Sequence, residues 1–124
     1  MIKVLVVEDD ADLVETYTDL LTAHNYAVTS VSKASDAIAV VTKLLPDIIL
    51  LDMNLPDNSG TVVISLARQY KRLAHTKIIV VTGYPEILQK RNYISLRVDL
   101  ILRKPVQNDT LLQKMSELLT PAVI

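Results

Sequence analysis

Carboxylates, a threonine and a lysine fall where short apolar runs end. The run at 3–7 (KVLVV) gives way to Glu8, Asp9 and Asp10, and the IILL run at 48–51 to Asp52. The IIVV run at 78–81 is followed by Thr82 and Gly83, and the LIL run at 100–102 by Arg103, Lys104 and Pro105. If these runs are strands of one parallel sheet, the polar residues share one edge. Two carboxylates about 4 Å apart repel by roughly 4 kcal/mol at an effective dielectric of 20. Three together need a cation or raised pKa values. Oxygen ligands without cysteine or a nearby histidine favour a small divalent ion. Magnesium suits best, because it keeps several waters and accepts one or two carboxylates plus a phosphate oxygen.

Each residue alone has a plainer reading. Glu8, Asp9 and Asp10 equally suit a helix N-terminus, as cap and dipole partners. Asp52 can be a turn residue before Leu55 and Pro56, Thr82 an ordinary strand residue, and Lys104 a solvated lysine. Their joint placement at four run ends is what these readings leave unexplained. His24 and His75 have no partners at metal-binding spacing and read as surface residues.

The elements that must position these residues are legible in the pattern. Strands are predicted over 3–7, 27–31, 48–51, 78–81 and 100–102, the second weaker than the rest. Unbroken apolar runs of this length mark strands buried on both faces, as in parallel sheets. Helices are predicted over 11–24, 32–45, 61–73, 85–96 and 109–119 from apolar residues at helical spacing. Asp10 suits the first N-cap, His24 with Asn25 the first C-terminus, and Pro85 the first turn of the fourth helix. Alternating strand and helix with right-handed crossovers gives an α/β fold. It is a doubly wound, five-stranded parallel sheet with helices on both faces. Ligands of such sheets bind outside the carboxyl ends of the strands, at the switch point.

Composition bounds the rest. The chain has 124 residues, 50% of them hydrophobic and 22% charged, which suits one folded domain over 1–124. Without cysteine there is no disulfide framework, thiol nucleophile or thiolate metal site. A formal net charge of -1 gives no general attraction to nucleic acid or anionic membrane. The first apolar run is too short for a signal peptide, and no run has membrane-spanning length. A soluble, cytoplasmic protein is expected. Two glycines leave no phosphate-cradling loop of the P-loop or dinucleotide type. Residues 120–124 read as a tail or the start of a linker.

The ordered blocks VLVVEDD, PDIILLDMNLPDNSG, IIVVTG and Lys104-Pro105 resemble the four signature blocks of two-component response-regulator receiver domains over essentially the whole chain. The resemblance implies a flavodoxin-like (βα)5 fold and a signalling domain rather than a turnover enzyme. It implies that Asp52 takes a phosphoryl group from a phosphohistidine donor in a Mg2+-dependent reaction. Glu8 and Asp9 match the acidic pair that holds the metal, with Asp52, and Asn54 matches the residue whose backbone carbonyl ligates it. Thr82 and Lys104 match the hydroxyl and ammonium that engage the phosphoryl group. Gly83 matches the small residue that leaves the phosphate accessible, and Pro105 the proline after a cis peptide bond. Pro56 and Gly60 match the turn into the third helix. The implied partners are a sensor histidine kinase or phosphotransfer protein, a downstream output domain or effector, and a second copy through the fourth-helix to fifth-helix face. No direct nucleic-acid or membrane binding is implied. One position departs from the family: Ile101 stands where the usual aromatic switch residue is, three before the lysine.

Two other readings are weighed against this one. A receiver-like scaffold acting without phosphorylation is favoured only by Ile101. A magnesium phosphohydrolase with an aspartyl nucleophile resembles the site less, since such enzymes carry a D-x-D pair after the first strand.

Overall fold

The structure is a computed structural model that describes residues 1–86 and 97–120. Strand β1 (Ile2–Val7) leads into α1 (Ala11–Ala23), β2 (Tyr26–Val31) into α2 (Ala34–Leu44), and β3 (Ile48–Asp52) into α3 (Gly60–Gln69). A 3-10 turn (Lys71–Leu73), β4 (Lys77–Thr82), β5 (Leu100–Arg103) and α4 (Asn108–Leu119) complete the described elements. All strand pairs are parallel, in the order β2-β1-β3-β4-β5. The direction of winding reverses between β1 and β3. The crevice of the sheet therefore opens beside the residues that end these two strands.

The apolar runs are continuous because both faces of the central strands are covered. Side chains alternate across a strand, so Leu5, Val7, Ile49, Leu51, Ile78 and Val80 join one core with α2 and α3. Val4, Val6, Ile48, Leu50, Ile79 and Val81 join the other with α1 and α4. Each fully buried Leu, Ile or Val contributes about 1.5–3 kcal/mol relative to exposure. The outer strands β2 and β5 are half-buried, which accounts for the weaker pattern at 27–31. Among the described residues, no helix is long and apolar enough to cross a membrane.

Local signals set most boundaries. Asp10 is the N-cap of α1, its carboxylate accepting from the amides of Asp12 and Leu13. His24 ends the helix, and Asn25 follows at φ 69°, a conformation asparagine tolerates well. The expected helix over 61–73 is corrected: α3 stops at Gln69, and Tyr70 is extended at φ -97°, ψ 123°. The chain then folds back so that the carbonyls of Leu73 and Thr76 accept from the Arg68 guanidinium, while Leu73 still reaches the core. The expected helix over 85–96, and the partner face assigned to it, lie outside the described residues from position 87 onward.

Candidate phosphoryl-acceptor site

The end of β1 supplies two kinds of acid. Glu8 is buried, at 3% exposure, and its amide donates to the Val31 carbonyl at 3.1 Å, fixing it against β2. Its Oε2 accepts from the amides of Asp9 and Asp10 at 3.0 and 3.4 Å, and its Oε1 from Lys104 Nζ at 2.7 Å. Asp9 is exposed beside it. Asp10 is spent on the α1 cap. The capping and clustering roles thus fall to different members of the same triplet.

Asp52 is the last residue of β3 and is 8% exposed. One carboxylate oxygen, Oδ1, accepts from the Asn54 amide at 3.2 Å; the other, Oδ2, lies 3.6 Å from Lys104 Nζ. Oxygens of Glu8, Asp9 and Asp52 all lie within 4.8 Å of one another. Lys104 follows β5, where its amide donates to the Thr82 carbonyl at 2.8 Å and its bond to Pro105 is cis, as expected. Thr82 ends β4, buried, with its hydroxyl accepting from the Tyr84 amide at 3.2 Å. It stands at the same edge but makes no hydrogen bond to Asp52. A Cβ at Gly83 would meet nothing within 4 Å, so the space beside Thr82 is open. His24 and His75 are exposed.

Three carboxylates and one ammonium leave two net negative charges here. Burial raises the Glu8 pKa above the usual carboxylate value; the Lys104 hydrogen bond opposes this and Asp52 adds to it. Burial pulls the Lys104 ammonium down, but the Glu8 hydrogen bond and the fields of Asp52 and Glu8 outweigh it and leave it raised. The Tyr17 phenol, buried nearby, is also raised, mainly by burial. A divalent cation would balance the charge. Hard, closely spaced oxygens of this kind fit magnesium.

The loop after Asp52 is tightly built. Asn54 bridges Ser59 across it, and the Gly60 amide donates to the Met53 carbonyl at 2.9 Å. A Cβ at Gly60 would sit 2.8 Å from the Asp52 carbonyl oxygen, so only glycine allows α3 to start this close to β3. Asp57, at the loop's outer end, was not singled out by its sequence context. Its carboxylate accepts from the Ala34 and Ser35 amides at 2.8 and 3.0 Å, and these bonds hold its pKa below the usual aspartate value. The signal was indirect: the N-cap of α2 is Lys33, which makes no side-chain cap bond.

Comparison with known proteins identifies the family. The model of the response regulator receiver domain matches residues 4–116. The chain is similar to the transcriptional regulatory protein BaeR of Escherichia coli O6:H1, 31% identical over 103 residues, covering 83% of this chain and 42% of that protein. It is equally similar to DltR of Streptococcus agalactiae serotype III, 31% identical over 113 residues, covering 91% and 50%. It thus spans about half the length of these relatives or less. Among solved structures, chemotaxis response regulator CheY4 of Vibrio cholerae superposes with a TM-score of 0.88 at 25% identity, covering 96% of this chain and 99% of that one. A receiver domain protein of Methanospirillum hungatei JF-1 superposes at 0.85 and 26%, covering 94% and 92%. With the family's signature residues gathered at one sheet edge and its model matched over most of the length, the chain belongs to the response regulator receiver domain family of two-component systems.

Proposed function

We propose that residues 1–124 act as one receiver domain that accepts a phosphoryl group on Asp52 in the cytoplasm, from the phosphohistidine of a sensor kinase or phosphotransfer protein. The observation that carries this is the pairing of Lys104 with both Glu8 and Asp52 inside a cluster two charges short of neutral. Asp9, Asp52 and Glu8, with the Asn54 carbonyl, would hold Mg2+. When bound, the ion would neutralise charge on the transferred group.

The chain's own residues do the remaining work. The Asn54 amide orients Asp52 through Oδ1, leaving Oδ2 toward Lys104. That carboxylate attacks phosphorus; the O–P bond forms as the donor P–N bond breaks, and the imidazole leaves with the bonding pair. Lys104, 3.6 Å from Asp52 Oδ2, would turn its hydrogen bond from Glu8 to a phosphoryl oxygen. Thr82, with its hydroxyl proton uncommitted to Asp52, can donate to another. A cleft of about 340 Å³, lined in part by Leu13, Tyr17, Pro105 and Val106, opens beside Lys104 and offers a donor protein an apolar contact. The change in partner-binding surface that follows is the signal. Incubation with Mg2+ and a small phosphodonor should add the mass of one phosphoryl group. Omission of Mg2+ or Asp52→Asn should abolish the gain; a gain that survives Asp52→Asn contradicts the assignment.

A further inference from the structure

Helix α2 is capped from a distance. Its first two amides donate to the two oxygens of Asp57, which lies 23 and 22 residues further along the chain, while its own N-cap residue supplies no side-chain bond. Asp57 belongs to the loop that begins at Asp52. That loop is closed at its base by the Asn54–Ser59 bridge and the Gly60-to-Met53 hydrogen bond. At its base the Asn54 amide also reaches Asp52 Oδ1, at 3.2 Å. Asp57 thus stands three residues from Asn54, in the same loop whose base holds the Asp52 carboxylate.

We infer that Asp57 is a positioning residue: by clamping the loop to the N-terminus of α2 it fixes Asn54, and through Asn54 the carboxylate of Asp52. The carboxylate at a helix N-terminus is favoured by the dipole and by charge-assisted bonds, and its lowered pKa agrees with this. The role deepens the phosphoryl-acceptor reading and rests on it where metal is concerned. If Mg2+ binds beside Asn54, coupling is reciprocal: the ion tightens the Asp57 clamp as much as the clamp tightens the ion.

A merely structural cap can be separated from a positioning role, because α2 can be given its own cap. Lys33 has the extended backbone of an N-cap, φ -133° and ψ 151°. Lys33→Ser in an Asp57→Ala background should restore the helix end without restoring the clamp. The experiment is amide NMR with Mg2+ titration on the wild type, Asp57→Ala, Asp57→Asn and the double variant. Asp57→Ala is expected to weaken Mg2+ binding and to speed Asn54 amide exchange, each about fivefold, the scale of a lost cap. Asp57→Asn should retain most of both. The double variant should recover protection at Ala34 and Ser35 but neither Mg2+ affinity nor slow exchange at Asn54. Asp57→Ala values within twofold of wild type, or recovery of both by Lys33→Ser, would overturn the inference. If wild-type protein shows no Mg2+-dependent shift at Asp9 and Asp52, the metal reading fails by itself; metal-free Asn54 exchange in the same four proteins then decides the role of Asp57.

Discussion

Single residues at this site are held in tension. Asp52 faces the repulsion of Glu8 and Asp9 and the attraction of one ammonium. Without metal, two negative charges oppose one positive charge around it. Asp52→Asn is therefore expected to raise metal-free stability by about 1 kcal/mol, the discounted scale of a partly solvated carboxylate pair. Urea denaturation in chelator measures it; a variant less stable than wild type would show that Lys104 dominates. The sequence made most of these residues legible, since carboxylates after apolar runs are conspicuous. It also set Asp10 apart as the cap of the first helix, which the structure bears out. What it could not give is the bond of Glu8 to Lys104, 96 residues away, because no local pattern links them. Asp57 was hidden because its partners are backbone amides of a distant helix, which no spacing within its own segment reveals.

Among elements, the close start of α3 against β3 is the most exacting feature. A methyl group at Gly60 would meet the Asp52 carbonyl at 2.8 Å and Met53 Sδ at 2.9 Å. The backbone contact cannot yield without moving Asp52. Gly60→Ala should thus cost about 1–3 kcal/mol, as overpacking does, and slow phosphorylation of Asp52 as well. Thermal unfolding and the rate of mass gain check the two effects; a variant unchanged in both would refute the steric account. The strands were legible as apolar runs because two-sided burial leaves no alternation to misread. The break after Gln69 was not, because Leu73 keeps its apolar place in the core while the backbone changes from helix to 3-10 turn. Ile101 is half-buried against the core of α2 and α3, with no aromatic ring to turn there.

In the whole molecule, the two edges of the sheet divide the labour. The carboxyl edge carries the site; the opposite edge is tied by Arg68. Its side chain is 11% exposed and donates to the carbonyls of Arg97 and Thr76 at 3.0 and 2.9 Å and to Asp99 at 3.0 Å. It so joins α3 to the starts of β4 and β5. Arg68→Ala should destabilise by about 1–3 kcal/mol, the cost of leaving the part-buried Leu73 and Thr76 carbonyls without their donor, yet leave phosphorylation intact where the fold persists. Urea midpoints and mass gain at low temperature would show this; lost phosphorylation in folded variant would link the two edges. The order of elements predicts the doubly wound sheet, but this tie joins residues 31 positions apart and has no local signature. The central claim concerns one bond, between Asp52 and phosphorus. Borohydride reduction of the Mg2+-dependent phosphorylated protein, followed by peptide mapping, reads that bond directly, since an aspartyl phosphate is reduced to homoserine. Homoserine at position 52 and nowhere else is the expected result; homoserine at another aspartate, or none in protein that has gained the phosphoryl mass, would contradict the account.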